Sequence, residues 1–396
     1  MKQSTIAYLT VLLITGSSGL QLVKEWNFLT YDFPPQLTAH NFKPENTVPT
    51  GIEITNDRIF ISIPRLRSGV PATLTSIPIN NPKDISPILQ AYPDWSLHGA
   101  GSGNYNCSGL ISVYRTRTDS CNRLWVLDAG TLDTIENFRR VCPPKILIFD
   151  LKTDQVVRTI VFPREVILAA SIFTNLIIDE SIQGKCDSAF VYISDTIAPG
   201  IVVYDGSSDK TWRVSDPSMY PNPDYANINI EGEQFSLMDG IIGLAHSPQV
   251  ATVFYQAVAT DRIFSIPTAT LTKGAPAEFE EIPIMVAGKK SSQGLPLAIN
   301  EDDNTLFFSP MTETSVAAWN VVNNNQQVLV ADPLNLQFVA ELRWKNNGYL
   351  YVLSSRFHKF YKRTVTPNET NIRILRIPLK QTVTRFPGLS PNFYFK

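Results

Sequence analysis

An excess of charge of either sign is missing from this sequence. Lys and Arg together number 34 against 36 Asp and Glu, a formal net charge of −2. A phosphate backbone is held by basic residues gathered on one face. The densest gatherings here are Lys289-Lys290 and the loose set Arg356, Lys359, Lys362 and Arg363, which read as solvated edges or loops. No nucleic-acid partner is expected. Long apolar runs are also missing. The stretch Ile6 to Ile14 is too short to cross a bilayer, which takes about 20 residues, and no later segment is longer, so no membrane partner is expected. Histidine is scarce: His40, His98, His246 and His358 form no H-x-x-x-H pair, and no C-x-x-C pair exists, so no metal site is expected. There is no G-x-S-x-G elbow. The glycine-rich Gly99 to Gly103 runs into Asn-Tyr-Asn-Cys and not into a helix, so it lacks the N-terminal amides of a phosphate loop. No cofactor is expected.

What is present begins with a leader. Lys2, the short apolar core Ile6 to Ile14 and the small residues Ser17, Ser18 and Gly19 read as a secretory signal peptide over residues 1–19. The mature protein is then extracellular. In that compartment the four cysteines, Cys107, Cys121, Cys142 and Cys186, predict two disulfides. Three pairings are possible. Cys107 and Cys142 precede strands expected at one edge of a blade, and Cys121 and Cys186 precede equivalent strands of consecutive repeats. That favours 107–142 with 121–186, staples for one region of the fold. Asn106-Cys-Ser and Asn368-Glu-Thr are glycosylation sequons, the second in a Pro/Asn/Thr-rich turn.

Helical periodicity is nearly absent. Apolar residues come in runs of four to eight, rich in β-branched and aromatic types and bounded by Asp, Asn, Gly and Pro, which are strand signals. One unit recurs: Arg58–Pro64, Arg123–Gly130, Ala189–Asp195, Thr252–Ala257, Leu306–Pro310 and Tyr349–Ser355, spaced by roughly 65, 66, 63, 54 and 43 residues. Partner strands follow at Leu74–Pro78, Lys145–Asp150, Gly200–Asp205, Asp261–Pro267, Val316–Asn320 and Ile372–Pro378. Six units of mostly four strands predict an all-β, six-bladed β-propeller over residues 20–396, a single domain. A four-stranded sheet with two apolar faces cannot bury them alone; radial stacking buries each on a neighbour. Leu22 to Phe28 and the C-terminal blade are expected to close the ring. Two β-sandwich domains would need a Pro/Gly/Ser linker near the middle, and there is none.

Several ordered motifs carry a resemblance. Cys107-Ser-Gly-Leu-Ile-Ser-Val-Tyr-Arg115, Cys121-Asn-Arg-Leu-Trp-Val-Leu-Asp-Ala-Gly130 and Cys142-Pro-Pro-Lys-Ile-Leu-Ile-Phe-Asp-Leu-Lys152 resemble the yellow/major royal jelly protein family. Trp26-Asn-Phe, Tyr31-Asp-Phe, Asn175 to Asp179, Phe190 to Asp195, Ser315 to Asn320 and Leu342-Arg-Trp fit as well, so the likeness spans nearly the whole mature chain. Within the family the four cysteines, Leu353-Ser-Ser-Arg-Phe-His358 and the short C-terminus look most like the yellow-related salivary proteins of sand flies. That resemblance implies a monomeric salivary propeller that sequesters biogenic amines in its central channel, serotonin first, with catecholamines and histamine as further candidates, and so modulates host haemostasis and inflammation. It places the amine contacts at Ala340, just before Glu-Leu-Arg-Trp, and at Ser355 and Phe357. It places ring-lining aromatics at Tyr105 and Phe235. Val48 to Gly51 is expected at the channel mouth. The chain departs from the family pattern in having Ala340 where strong binders carry Thr, and Ser355 where they carry Asn. A lost hydrogen bond to a charged donor costs about 1.5–3 kcal/mol, so altered affinity is expected.

No catalytic set stands out, and a non-enzymatic binder is the expected function. The alternative is an enzyme: a dopachrome-converting protein of the yellow type, or a metal-dependent lactonase-like propeller. Its candidate groups are carboxylates at strand ends. Asp128 and Asp195 occupy equivalent positions in successive units, with Asp179 and Asp239 near the channel. The competing role for Asp128 and Asp195 is capping turns by accepting backbone N–H bonds.

Overall fold

A computed structural model describes residues 19–35, 41–181 and 186–379. All of the leader but Gly19, and His40, lie outside them. Six four-stranded antiparallel sheets are arranged as the blades of a six-bladed β-propeller. Their inner strands are Gly51–Ile54, Val113–Thr118, Phe173–Asp179, Ile241–Ser247, Leu297–Asn300 and Val339–Lys345. Each inner strand lies beside the next, and the last lies beside the first, so they form a closed ring around one axis. The recurrent unit of the sequence is the second strand of every blade, and its partner strand is the third.

The blades stack because their strands are apolar on both faces. In the second blade Leu124, Val126, Leu147 and Phe149 face the first blade's Phe60 and Leu74. The alternate residues Trp125, Leu127, Ile146 and Ile148 face Leu176, Val191 and Val202 of the third. A period of two with no polar face is the pattern of a sheet covered on both sides. Each such side chain contributes about 1.5–3 kcal/mol on burial. Asn or Asp turns the hairpins: Asn122, Asp154, Asp209, Asn304 and Asn324 all have positive φ, a conformation these two residues tolerate.

The ring closes as expected. Gln21–Trp26 is the outer strand of the last blade and pairs antiparallel with Ile372–Pro378, Gln21 opposite Arg376 and Trp26 opposite Ile372. It is also tied to the first blade: buried Lys24 donates to the carbonyls of Asn81 and Asp84 at 2.6 and 2.5 Å, and Trp26 Nε1 to that of Pro87 at 2.9 Å. Both disulfides have the favoured pairing, with Cα separations of 5.5 Å for Cys107–Cys142 and 5.9 Å for Cys121–Cys186. The second joins consecutive blades. Two short helices, Thr268–Thr272 and Phe357–Lys362, interrupt the all-β pattern. Among the described residues no helix is long and apolar enough to cross a membrane.

Candidate functional site

All six inner strands run the same way along the axis, so the channel has two unlike mouths. Where these strands begin there is a cavity of about 330 Å³, within the range of small-molecule sites. It takes one or more residues from the start of each inner strand or the segment leading into it: Thr50, Tyr114, Ile172, Ile242, Leu295 and Ala340.

A local irregularity aims several of these side chains. Register shifts fall between Val113 and Arg115, Phe173 and Asn175, Ile241 and Gly243, and Val339 and Glu341. The extra residues at these β-bulges are Tyr114, Thr174, Ile242 and Ala340, and all four line the cavity. A bulge bends its strand and re-aims one side chain. At the same register in four blades, it turns the strand starts into a ring of lining positions.

Asp128 and Asp195 hold these bulged starts in place. Asp128 accepts from the amides of Ile111, Ser112 and Gly130 at 2.9, 2.8 and 3.1 Å. Asp195 accepts from the amide of Ile172 at 2.9 Å and from Arg213 Nη2 at 2.5 Å. Both are fully buried. Their role in this geometry is to cap the chain leading into the inner strand of their own blade. Asp179 accepts from the Tyr192 hydroxyl at 2.8 Å, and its other oxygen from Ser181. Among the described residues no group of His, Cys, Asp or Glu is arranged to hold a metal ion.

Asp239 is different. It lines the cavity, half-buried, and among the described residues no group donates a hydrogen bond to its carboxylate. Burial without a partner pushes its carboxyl up to about 6. The neighbouring hydroxyls are already engaged: Thr174 with Thr196 at 2.6 Å, Thr196 with the Ile241 carbonyl at 2.8 Å, Thr50 with the Tyr114 carbonyl at 3.0 Å, and Tyr114 with Thr134 at 3.2 Å. The remaining lining is largely apolar, with Phe338, Phe357 and Tyr361 on one side. Phe357 stacks on Phe338 with ring centroids 4.9 Å apart. The floor is Arg115, whose Nη1 and Nη2 donate to the carbonyls of Tyr114 and Ala340, both at 2.9 Å. Its Nε lies 2.5 Å from Glu341. Among the described residues, the cavity thus offers one carboxylate that receives no hydrogen bond, beside an aromatic wall.

The structure brings together part of the expected site. Ala340 and Phe357 line the cavity, as does Thr50 of the Val48 to Gly51 segment. Phe357 lies beyond the last blade's second strand. The strand stops at Ser355, and Phe357 opens a helix, so its carbonyl belongs to the helical ladder and its ring faces the cavity. Ser355 lies outside the lining: its amide donates to the Phe338 carbonyl at 2.8 Å, and its buried hydroxyl has no partner. Phe235 stands behind the wall, in the hairpin Asn227–Ile230/Glu233–Ser236, 6.5 Å from Phe338 and 6.2 Å from Tyr361, while Leu237 does the lining. Tyr105 is outside the cavity lining. It is 40% exposed beside Arg139. The Cys107–Cys142 bridge ties its loop to the approach of the third strand, outward from the inner one, so the aromatic this blade supplies is Tyr114. Asn106 and Asn368 are both at the surface.

A family model described as Major royal jelly protein matches residues 111–385. Dopaminechrome tautomerase of Drosophila melanogaster is 28% identical over 402 residues, covering 93% of this chain and 84% of that protein. Major royal jelly protein 9 of Apis mellifera is 28% identical, covering 94% and 92%. Protein yellow of Drosophila erecta is 29% identical, covering 93% and 71%.

Proposed function

For this chain, which belongs to the major royal jelly protein family, we propose a secreted, monomeric salivary protein that sequesters aromatic biogenic amines in the cavity where the inner strands begin. The observation that carries this reading is the pairing of the Asp239 carboxylate, to which no described group donates, with an aromatic wall in one cavity. A primary ammonium brings three donors and a positive charge, which is what the carboxylate lacks. The flat ring of serotonin or a catecholamine suits a slot flanked by Phe338, Phe357 and Tyr361. An aromatic face near the ammonium adds about 0.5–2 kcal/mol. Secretion to saliva is supported by the leader, the two disulfides and the motif likeness to salivary relatives. Asn106 and Asn368, both exposed, are the glycan sites of that route.

Asp239 takes over, in this reading, part of the task that a Thr side chain would perform at Ala340, whose carbonyl is held by Arg115. Calorimetry with serotonin, histamine and dopamine tests it. Saturable heat with at least one, at about one ligand per chain, is the expected result. No heat with any of them at tens of micromolar protein rejects the reading.

The similarity to dopaminechrome tautomerase favours a second reading. A carboxyl poised at about 6 can take up and return a proton near neutral pH, and Asp239 would then be the proton-transfer group. Decay of dopaminechrome faster than the uncatalysed rate, abolished by Asp239→Asn, is the outcome that replaces the binder with an enzyme.

A further inference from the structure

The opposite mouth of the channel, where the inner strands end, holds a second cavity of about 430 Å³. It is separated from the first by an ion bridge: Glu341 lies 2.5 Å from Arg115 Nε, above, and 3.3 Å from Arg117 Nη2, below. The lower cavity is unlike the upper one. Arg117, Arg343 and Lys345 line it, with Trp344 as an aromatic wall and Leu244 among its apolar residues. Cations outnumber the carboxylates that hold them. Glu341 serves both Arg115 and Arg117, and the fully buried Glu53 serves both Arg343, at 2.6 Å, and Lys345, at 2.5 Å. Two buried carboxylates therefore face four cations. The Arg343 and Lys345 side chains retain 19% and 22% exposure, so both remain reachable from the cavity. The acidic groups on the other wall are not ion-paired with Arg343 or Lys345, although Glu301 lies within Coulombic reach of Arg343. Asp179 is fully buried and engaged by Tyr192 and Ser181, with its Oδ2 3.5 Å from His246 Nε2. Glu301 is exposed at the mouth.

We propose that this second cavity is a binding site for a small organic anion, a carboxylate or sulfate on an aromatic or aliphatic body, held by Arg343 and Lys345 with its apolar part against Trp344 and Leu244. The guanidinium of Arg343 has one nitrogen committed to Glu53, leaving its fork able to take a further oxyanion. Occupancy would bring a second oxyanion to the two partly exposed cations that share the single carboxylate of Glu53. The site is independent of the amine reading, since the two cavities share no lining residue.

Calorimetry of the full-length mature protein with benzoate and with inorganic sulfate decides the matter. Benzoate is expected to bind at one site with a dissociation constant below about 1 mM, and more tightly than sulfate because of the apolar wall. Arg343→Gln is expected to weaken benzoate at least tenfold. Glu301→Gln removes a repelling charge from an exposed position and is expected to strengthen binding about threefold. That gain cannot arise from damage to the fold, so it decides alone if Arg343→Gln does not fold. Serotonin affinity, if present, is expected to be unchanged in both variants. No benzoate binding at 10-fold above that concentration, wild-type affinity in a folded Arg343→Gln protein, or weaker binding in Glu301→Gln overturns the proposal.

Discussion

Replacing Asp239 by Asn separates a ligand-holding carboxylate from a structural one. The carboxyl is raised from 3.8 to about 6 by desolvation, so ionising it in the empty cavity costs about 3 kcal/mol more than in water. Water at the half-open mouth relieves part of that, leaving roughly 1–2 kcal/mol. The sign follows from the raised value. The penalty is absent below pH 3.8, grows between 3.8 and about 6, and is complete above. The ligand-free Asp239→Asn protein should therefore be more stable than wild type at pH 7.4 by roughly 1–2 kcal/mol, and equal to it near pH 3.5. Amine binding should move the other way. A charge-assisted contact is worth about 1.5–3 kcal/mol, so the variant should bind serotonin about 10- to 150-fold more weakly. Wild-type affinity should be flat above about pH 6 and fall by up to tenfold per pH unit below it, as protons compete for the carboxylate. The Asn variant should show no such dependence. Denaturant melts and calorimetry at pH 5, 6 and 7.5 supply every quantity. Unchanged serotonin affinity in the variant, or binding lost together with stability, would refute the role given to Asp239.

Ala340→Thr places a hydroxyl on the bulge that faces the cavity and should raise amine affinity about tenfold with little change in melting temperature, checked by calorimetry and a thermal melt. Phe357→Ala removes the ring stacked on Phe338 and should weaken serotonin at least tenfold while leaving benzoate binding unaffected. Glu341→Gln leaves Arg115 and Arg117 buried without their shared carboxylate and should destabilise by about 3–5 kcal/mol in a urea titration. Removing the Cys121–Cys186 bridge, which closes a loop of 65 residues, should cost about 2–4 kcal/mol in the same assay.

The blade count was legible because each second strand must be apolar on both faces, and that requirement writes the same short pattern six times. Arg123–Asp128 and Phe190–Asp195 are visible in one dimension, as is the closing strand at Gln21–Trp26. The disulfide partners followed from which strands the cysteines precede. The site was only half legible. Motif position pointed to Ala340 and Phe357, which line the cavity, and to Ser355, which is buried outside the lining where the strand ends and a helix begins. Tyr105 and Tyr114 are equally aromatic on paper; a disulfide holds one outward and a bulge aims the other inward.

By itself the sequence determined a six-bladed ring, since burial of alternating apolar residues is a local property repeated along the chain. Its motifs settled the family too. Only the tertiary structure decided which polar groups are left over. Asp128 and Asp239 are both aspartates near inner strands, but three amides reach the first and none of the described donors reaches the second. Whether a buried carboxylate is satisfied depends on donors brought from distant parts of the chain, and that sum exists only once the ring has closed.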